Sequence, residues 1–363
     1  MNLIPGRRIS RLAGWGLALG LAAGEITSAK PAKDDYEFFP PPPDEPHLQF
    51  LTGFSSEREM GRNASRSFLS WVTGQKPPER QISKPYGAAL RDHKLYICDT
   101  DYGAVLVADL KDRSMAVFTA HGQGVLKLPL NIAIDAAGNF YVADSGRDQV
   151  VLFDKDENYV AAIGKLGEMK PRDVAVSQDR IYIADIKSHN VHVYDKATLN
   201  PLFTIPREPD APNLTRRLFS PTNLALDAKG SLYVSDTGAA RVQVFDAANG
   251  TYLRSVGGRG DSLGQFALVK GIAVDRESRL YAVDAMSQVV QIFNEQGKLL
   301  TWFGEPSGSQ GTRSLPAKVM VDYDNTAYFQ SCVAPGFKVE YLVFVINQIG
   351  SHLVSVYGFG HQQ

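Results

Sequence analysis

Three oxygen-bearing side chains, Asn131, Asp173 and Asn223, stand at corresponding places in the chain, each entering a short apolar segment. Carboxylate and amide oxygens are the ligands that hard divalent cations prefer. If these segments are strands around one axis, the three side chains converge and predict a site for a divalent cation. The same residue types also cap strand ends by accepting backbone hydrogen bonds, so a structural role stays open.

Cationic and aromatic side chains form a second candidate set. They stand in two irregular segments and at three segment entries: Arg207, Arg216, Arg217 and Phe219 in 207–220, Phe337 in 332–340, and Arg172, Lys270 and Lys318. Guanidinium and aromatic groups on loops are the groups that a protein partner or an anionic ligand contacts. The sequence therefore predicts a partner-binding surface, with solvated loop residues as the alternative.

The residue types exclude several other kinds of site. Seven histidines and two cysteines leave no four-cysteine zinc site and no C-x-x-C-H haem attachment. His189 and His192 are spaced so that they lie on opposite faces of a strand or in a turn, and no Ser-His-Asp set stands out. With 38 basic and 39 acidic residues the formal charge is −1, without the basic excess that nucleic-acid binding requires.

A unit that repeats six times must position these candidates. Each copy has an apolar strand, an aromatic-containing strand that ends in an anchor residue, and another strand that ends near a second Asp. The anchors are Asp99, Asp144, Asp185, Asp236, Asp284 and Ser331, and the first five are followed ten residues later by Asp109, Asp154, Asp195, Asp246 and Asn294. A hairpin of fixed geometry explains this constant spacing. The apolar strand lies upstream of the hairpin, and one more strand follows downstream. Each copy therefore predicts a four-stranded blade, and the whole predicts an all-β, six-bladed β-propeller.

In such a propeller the interblade loops and the loops after the second strands share one face around the central channel. We expect 207–220 and 332–340 on that face, and we expect the repeated Asp anchors to stabilise hairpins. Ring closure predicts Leu353–Tyr357 as the outer strand of blade 6, with 47–54 either added beside it or exchanged for it. Cys98 and Cys332 fall in neighbouring blades, so a disulfide and two separate apolar side chains both stay open.

The segment LYVSDTGAARVQVFDAANGTYLRSVGGRGDSLGQF, residues 232–266, resembles the NHL repeat almost position by position. The resemblance covers residues 85–358 and implies an NHL-type propeller. The leader FFPPPPDEPHLQFLTGF is similar to that of exported bacterial NHL proteins found beside multihaem c-type cytochromes, which implies a cytochrome partner. Gluconolactonase-like propellers hold a divalent metal at the channel, which implies a metal-dependent hydrolase or lyase as the alternative function.

The first residues predict an export signal. Arg7, Arg8 and Arg11 precede an apolar run over 12–24 that is too short to span a membrane. Small residues favour cleavage after Ala29, with Ala32 as the second choice. The pair Arg7-Arg8 leaves export by the twin-arginine route open.

The segments between signal and propeller predict a spacer and two short elements. The proline run over 38–46 is expected in the polyproline II conformation. Residues 47–54 alternate as a strand, and 57–73 has the spacing of an amphipathic helix. Its apolar face is expected to pack on the body of the protein or to dock on a partner or a membrane.

The predicted organisation is a signal peptide (1–29), a leader (30–84), the propeller (85–358) and a tail (359–363). After the signal no segment is apolar enough to span a membrane. We expect a monomeric, exported, periplasmic or extracellular propeller. Its predicted function is non-catalytic binding or scaffolding of an envelope protein.

Overall fold

Six antiparallel β-sheets form the blades of a propeller in the computed structural model, which describes residues 36–41, 43–61, 79–207, 216–304 and 314–363. Within these ranges five sheets have four strands in chain order, and the sixth has five strands. The predicted all-β, six-bladed architecture is confirmed. The predicted signal peptide lies outside the described residues, and so does most of the predicted helix over 57–73.

Strand numbers follow the chain, and β1 (Phe38–Phe39) and β2 (Leu48–Phe54) precede blade 1. Blade 1 contains β3 (Pro85–Arg91), β4 (Lys94–Asp99), β5 (Ala104–Asp109) and β6 (Ser114–Val117). Blade 2 contains β7 (Pro129–Ile134), β8 (Phe140–Asp144), β9 (Gln149–Phe153) and β10 (Tyr159–Ile163). Blade 3 contains β11 (Pro171–Val176), β12 (Arg180–Asp185), β13 (Asn190–Asp195) and β14 (Pro201–Ile205).

Blade 4 contains β15 (Pro221–Leu226), β16 (Ser231–Asp236), β17 (Arg241–Asp246) and β18 (Tyr252–Val256). Blade 5 contains β19 (Val269–Val274), β20 (Leu280–Asp284), β21 (Val289–Phe293) and β22 (Leu299–Gly304). Blade 6 contains β23 (Pro316–Asp322), β24 (Phe337–Asn347) and β25 (Val354–Gln362) with β2 and β1 outside them. Short 3-10 helices span Gly122–Gly124, Thr237–Ala239 and Thr326–Cys332.

The two ends of the chain meet in blade 6 and close the ring. β2 pairs antiparallel with β25, from Leu48 opposite Phe359 to Phe54 opposite Val354, so the early strand is added beside the late one. The inner strands then contact one another in the closed order β3, β7, β11, β15, β19, β23 and β3 again. Because β25 runs to Gln362, most of the predicted tail belongs to this blade.

The leader differs from the predicted spacer. Phe38 and Phe39 form β1, which pairs antiparallel with β2 at Gln49 and Leu48. The described prolines that follow, Pro40, Pro41, Pro43 and Pro46, therefore lie in the connection of a hairpin instead of extending away from the propeller. The ring of Phe39 is buried, with its centroid 6.0 Å from that of Tyr357, so burial of Phe39 holds the segment on blade 6.

The sequence pattern placed the anchor of the sixth copy at the wrong residue. Ser331 does not end a second strand but lies in the 3-10 helix Thr326–Cys332. The second strand is β24, and its last residue, Asn347, pairs with Pro316 as Asp144 pairs with Pro129 in blade 2. Asn347 therefore takes the anchor position, and the aromatic pattern of AYFQS belongs to a connection.

The core consists of six apolar layers, each between two adjacent blades. Inner-strand residues alternate between the layers on the two sides of their blade: Ile132 packs with blade 1, and Ala133 with blade 3. β2 takes part in two layers, through Leu48 on one side of blade 6 and Leu51 and Phe54 on the other. Each blade thus buries both of its faces, which makes the ring one folding unit.

The blades have two ends. The loops after the second strands and the loops that enter the inner strands share one end, which we call the channel face, because the first residue of each inner strand pairs with the anchor, as Pro221 does with Asp236. The turns between first and second strands and between third and fourth strands form the opposite face. The segment 332–340 joins β23 to β24, so it lies on the opposite face, contrary to expectation.

Both cysteines are free thiols. Cys98 is fully buried in the layer between blades 1 and 2, and the half-buried Cys332 packs against the layer between blades 6 and 1. Of the two pairing alternatives, the structure has the separate apolar side chains. No helix in the described part of the chain is long and apolar enough to cross a membrane.

Candidate functional site

The five Asp anchors are buried and hydrogen-bonded to backbone. Asp144 accepts from the N–H groups of Lys127 and Leu128, which enter the inner strand, and from those of Gly146 and Arg147 in the following turn. Asp99, Asp185, Asp236 and Asp284 accept bonds from the corresponding entry segment. The predicted structural role of the anchors is confirmed: each carboxylate ties an interblade loop to its blade.

A serine, a histidine and a carboxylate meet at the hairpin that joins β12 to β13. Ser188 Oγ lies 3.1 Å from His192 Nε2, and the same Nε2 lies 3.1 Å from Asp185 Oδ2. A catalytic relay needs the carboxylate on one ring nitrogen and the hydroxyl on the other, so this trio cannot pass a proton along. Although burial of Asp185 raises its pKa, hydrogen bonds from His192 and Ser188 lower it below the ordinary value, and the trio stabilises the anchor.

Every inner strand has a β-bulge near its start, where one extra residue stands opposite the second strand. Consecutive side chains of a regular strand point to opposite sides, whereas a bulge re-aims one of them. The second and third residues of each inner strand can then both reach the channel. Arg172 and Asp173 demonstrate this, since each contacts a residue from a blade that is not its neighbour.

The third residues of the six inner strands are Gly87, Asn131, Asp173, Asn223, Gly271 and Lys318. The four that carry side chains, Asn131, Asp173, Asn223 and Lys318, form a polar ring. Lys318 Nζ lies 3.2 Å from Asp173 Oδ2, across the channel between opposite blades, and both side chains are almost fully buried. Asp173 also accepts bonds from the backbone N–H groups of Val174 and Leu224 and, at 3.4 Å, from Asn223 Nδ2. This buried ion pair joins the two halves of the ring.

The predicted cation ligands are therefore only partly brought together. Asp173 contacts Asn223, whereas Asn131 donates through Nδ2 to the backbone oxygen of Arg172 at 3.2 Å. The Oδ1 atoms of Asn131 and Asn223 are buried without a partner in the described structure. The ammonium of Lys318 takes the position on Asp173 that a divalent cation would need, and like charges repel. No group of three His, Cys, Asp or Glu within the described ranges is placed to hold a metal, so these residues fit a divalent cation poorly.

Glycine at the third position keeps two blades out of this polar ring. A Cβ on Gly87 would lie 1.8 Å from Asn131 Oδ1, and one on Gly271 would lie 2.5 Å from the carbonyl oxygen of Ala317. Real side chains do not approach so closely, so neighbouring blades can meet here only at glycine. Blades 1 and 5 present their second residues, Tyr86 and Lys270, to the channel instead.

The second residues of the inner strands of blades 1, 3 and 5 line the mouth of the channel. The Arg172 guanidinium carbon lies 5.6 Å and Lys270 Nζ 5.8 Å from the centroid of the Tyr86 ring, so three alternate blades converge on one aromatic ring. Burial raises the pKa of Tyr86, which keeps the phenol protonated. Lys270 also donates to Gln348 Oε1 at 3.2 Å. Sequence reasoning did not select Tyr86 or Gln348, although the position of Tyr86 after Pro85 marks it as an inner-strand entry.

The loop cations predicted in 207–220 lie away from this mouth. Arg207 stacks on Phe203, and Arg216 on Tyr252, both rings belonging to outermost strands. The backbone oxygen of Arg217 accepts bonds from Arg241 Nη2 and Gln243 Nε2, each at 2.8 Å. Residues 208–215 lie outside the described part of the chain.

The two predicted aromatic contact residues have opposite environments. Phe219 is half-exposed on the channel face, with its backbone N–H bound to Asp236. Phe337 begins β24 on the opposite face and is buried, with its ring centroid 5.5 Å from that of Phe38. Its apolar ring fills the space under β1, so Phe337 does not belong to an exposed channel surface as predicted.

Comparison with solved structures shows what this fold resembles. A gluconolactonase from Xanthomonas campestris is 16% identical, over 86% of this chain and 89% of that one, with a TM-score of 0.56. A chain from a nidogen/laminin complex is 18% identical over 71% and 93%, with a TM-score of 0.53. A streptogramin B lyase is 11% identical over 73% and 76%, with a TM-score of 0.52.

These similarities support the fold that the six sheets show, a six-bladed β-propeller. No protein-family model matches the chain, and no curated protein matches it. Because the neighbours include enzymes as well as a chain from a protein complex, the shared fold does not determine activity.

Proposed function

We propose that the chain is an exported, non-catalytic binding module that docks another envelope protein on its channel face. One observation carries the proposal: exposed large apolar side chains are distributed unequally between the two faces. Eight lie in channel-face loops, and among the described residues only Tyr328 lies in a connection of the opposite face. The eight are Tyr102, Val125, Leu128, Leu166, Phe219, Leu263, Met286 and Ile349.

Exposed apolar side chains gathered on one side of a soluble domain favour a protein contact. Their loops belong to all six blades, so the rim surrounds the channel mouth. A partner that covers this rim buries apolar area around the polar channel mouth, and burial of apolar area drives protein association. The nidogen/laminin structure is a precedent for this fold in a protein complex.

The partner class follows from the resemblance of the leader. We propose a multihaem c-type cytochrome of the cell envelope, reached after export and cleavage near Ala29. The contact residues are those of the channel-face loops, including Phe219, with Arg207, Arg216 and Arg217 at the periphery. A hydrolase or lyase function is not favoured by a specific observation, because the Lys318 ammonium takes the cation position on Asp173.

The experiment is native mass spectrometry of the mature protein from its own cell envelope, with the haem absorption of any bound partner recorded. The channel-face variants Leu166→Glu and Met286→Glu change residues that are 83% and 65% exposed. Their matched controls, Leu202→Glu and Leu253→Glu, change exposed residues of the outermost strands β14 and β18. We expect a stoichiometric adduct that both channel-face variants lose and both controls keep.

Two results would contradict the proposal. A mature wild-type protein without any protein adduct would remove the binding function. An adduct that survives in the channel-face variants, or disappears equally in the controls, would assign the contact to another surface. An adduct without haem absorption would keep the docking face and exclude the cytochrome.

A further inference from the structure

The mouth of the channel holds two cations that have no ion-pair partner among the described residues. Arg172 and Lys270 both lie over the Tyr86 ring, at 5.6 and 5.8 Å from its centroid. No carboxylate within the described ranges forms an ion pair with either. Two half-buried cations elsewhere do have one: Lys196 lies 2.9 Å from Asp135, and Arg279 Nε 2.5 Å from Asp275.

The hydrogen-bonding capacity of the two groups is also unfilled. Arg172 Nε is buried and has no acceptor in the described structure, and Lys270 has one amide acceptor, Gln348 Oε1. Burial and the neighbouring Arg172 charge both lower the pKa of Lys270. Uncompensated cations in a half-buried site are costly, so the arrangement favours an occupant that carries negative charge.

The charge count indicates which class of anion fits. Asp173 balances Lys318 one position deeper, which leaves the two positive charges of Arg172 and Lys270. Guanidinium groups bind oxyanions through paired N–H donors, and the protonated Tyr86 hydroxyl is a further donor group of this ring. Both cations are partly exposed, so a ligand can reach them from solvent.

We infer that the channel mouth binds a doubly charged oxyanion between Arg172 and Lys270 over the Tyr86 ring. The oxyanion is a phosphate or sulfate group or a small dicarboxylate. The site needs no partner protein, and therefore the inference does not depend on the docking proposal.

The test is isothermal titration calorimetry of the full mature chain with inorganic phosphate, sulfate and succinate at pH 7 and constant ionic strength. Acetate is the singly charged comparison. We expect saturable one-to-one binding of at least one dianion, and at least tenfold weaker binding of acetate. Phosphate and sulfate binding without succinate binding would identify a tetrahedral ligand, and preferred succinate binding would identify a dicarboxylate.

The variants are Arg172→Gln and Lys270→Gln, each expected to weaken dianion binding at least tenfold. Arg254→Gln is the matched control, because Arg254 also lies 5.6 Å from a tyrosine ring, that of Tyr233, and also has a buried, unpartnered Nε, but belongs to the outermost strand β18. It should change binding less than twofold. Without a dianion, removal of either cation should leave the melting temperature unchanged or raise it, because repulsion is relieved.

Failure of the wild type to bind any of the three dianions would overturn the inference. Acetate binding as tight as phosphate binding would overturn the doubly charged assignment. An equal loss in Arg254→Gln, or a lowered melting temperature in both channel variants with unchanged affinity, would show that the two cations serve the fold only.

Discussion

Charged side chains have different partners on the two faces of the propeller. On the opposite face, neighbouring blades are joined by ion pairs and phenol contacts: Lys196 of blade 3 reaches Asp135 of blade 2, and Arg279 of blade 5 reaches the hydroxyl of Tyr341 in blade 6. On the channel face, Arg172 and Lys270 contact the same Tyr86 ring, and neither forms an ion pair within the described structure. These charged groups of the opposite face satisfy one another, whereas the channel mouth leaves two cations for a ligand.

This difference separates residues that hold the ring together from residues that bind. Asp173 and Lys318 form the deepest pair of the channel and span opposite blades, so they belong to the structural group although they lie next to the mouth. The loss of stability on removing a charged side chain should then depend on its burial and its ion-pair partner, and not on its distance from the channel. Substitutions of decreasing expected effect test this statement.

Asp173→Ala should have the largest effect. The change leaves the buried Lys318 ammonium and the Leu224 N–H without their acceptor, and breaking a buried pair costs about 3–5 kcal/mol. Urea denaturation followed by circular dichroism measures the free energy of unfolding.

Lys318→Met is the matched variant for this prediction. It should lower the free energy of unfolding less than Asp173→Ala does, because the Asp173 carboxylate still accepts from the backbone N–H groups of Val174 and Leu224. The double variant should recover part of the loss. If Asp173→Ala lowered the free energy of unfolding by less than about 1 kcal/mol, the ion pair would contribute no more than an exposed pair does. The division between structural and binding residues would then be wrong.

The sequence predicted the hairpins of the first five blades because their signals are local. The Asp anchors and the polar turns repeat at fixed spacing, and the predicted hairpin role of Asp144 follows from the turn that it caps. In blade 6 the local signal gave a wrong prediction, because AYFQS has the aromatic content of a strand but lies in a 3-10 helix. The anchor position belongs to Asn347. The misalignment also placed Phe337 on the wrong face.

The channel site was predictable only in part. The entries of the inner strands were identified, but their bulges depend on pairing with the second strand, which the alternation of side chains does not reveal. The contact between Asp173 and Lys318 joins residues 145 positions apart and follows only from closure of the ring. The sequence therefore indicated oxygen ligands for a metal, whereas the structure supplies a lysine for the same carboxylate.

Asp135→Asn tests the opposite face through pH. Burial raises the pKa of Asp135, but hydrogen bonds from Lys196 and Asn139 outweigh it and lower the pKa from 3.8 to about 2. A carboxyl whose pKa is lowered by folding stabilises the protein above its unfolded pKa, and this contribution disappears as the pH falls through the folded pKa. The shift corresponds to roughly 2 kcal/mol.

We therefore expect the free energy of unfolding of the wild type to exceed that of Asp135→Asn by this amount at pH 7. The difference between the two proteins should shrink between pH 4 and pH 2. Urea denaturation at pH 7, 4, 3 and 2 measures both proteins. Asp156→Asn, a change at an exposed carboxyl, is the control and should show little difference at any pH. A constant difference between wild type and Asp135→Asn down to pH 2 would show that packing, not charge, is responsible.

Tyr341→Phe should have a smaller effect on the same face. The Tyr341 hydroxyl lies 2.7 Å from that of Tyr281 and accepts from Arg279 Nη2 at 2.8 Å. Removing it takes the acceptor from Arg279 Nη2, whereas the Tyr281 hydroxyl still donates to Asp275 Oδ2 at 3.3 Å and Arg279 Nε keeps the same carboxylate. We therefore expect the free energy of unfolding to fall by about 1–2 kcal/mol. Tyr323→Phe is the control at a neighbouring, less buried ring. Equal losses in the two variants would deny Tyr341 a role in joining blades 5 and 6.

Lys229→Ala should have the smallest effect. Its ammonium lies 2.7 Å from Glu295 Oε1 and joins blades 4 and 5 on the opposite face, but the two side chains are 56% and 45% exposed. Exposed pairs contribute about 0–1 kcal/mol and are screened by salt, so the loss should be small in dilute buffer and vanish in concentrated sodium chloride. Because distance and position resemble those of Lys196 with Asp135, the comparison isolates burial. A loss as large as that of Asp135→Asn would mean that position on the face, not burial, determines the contribution of an interblade ion pair.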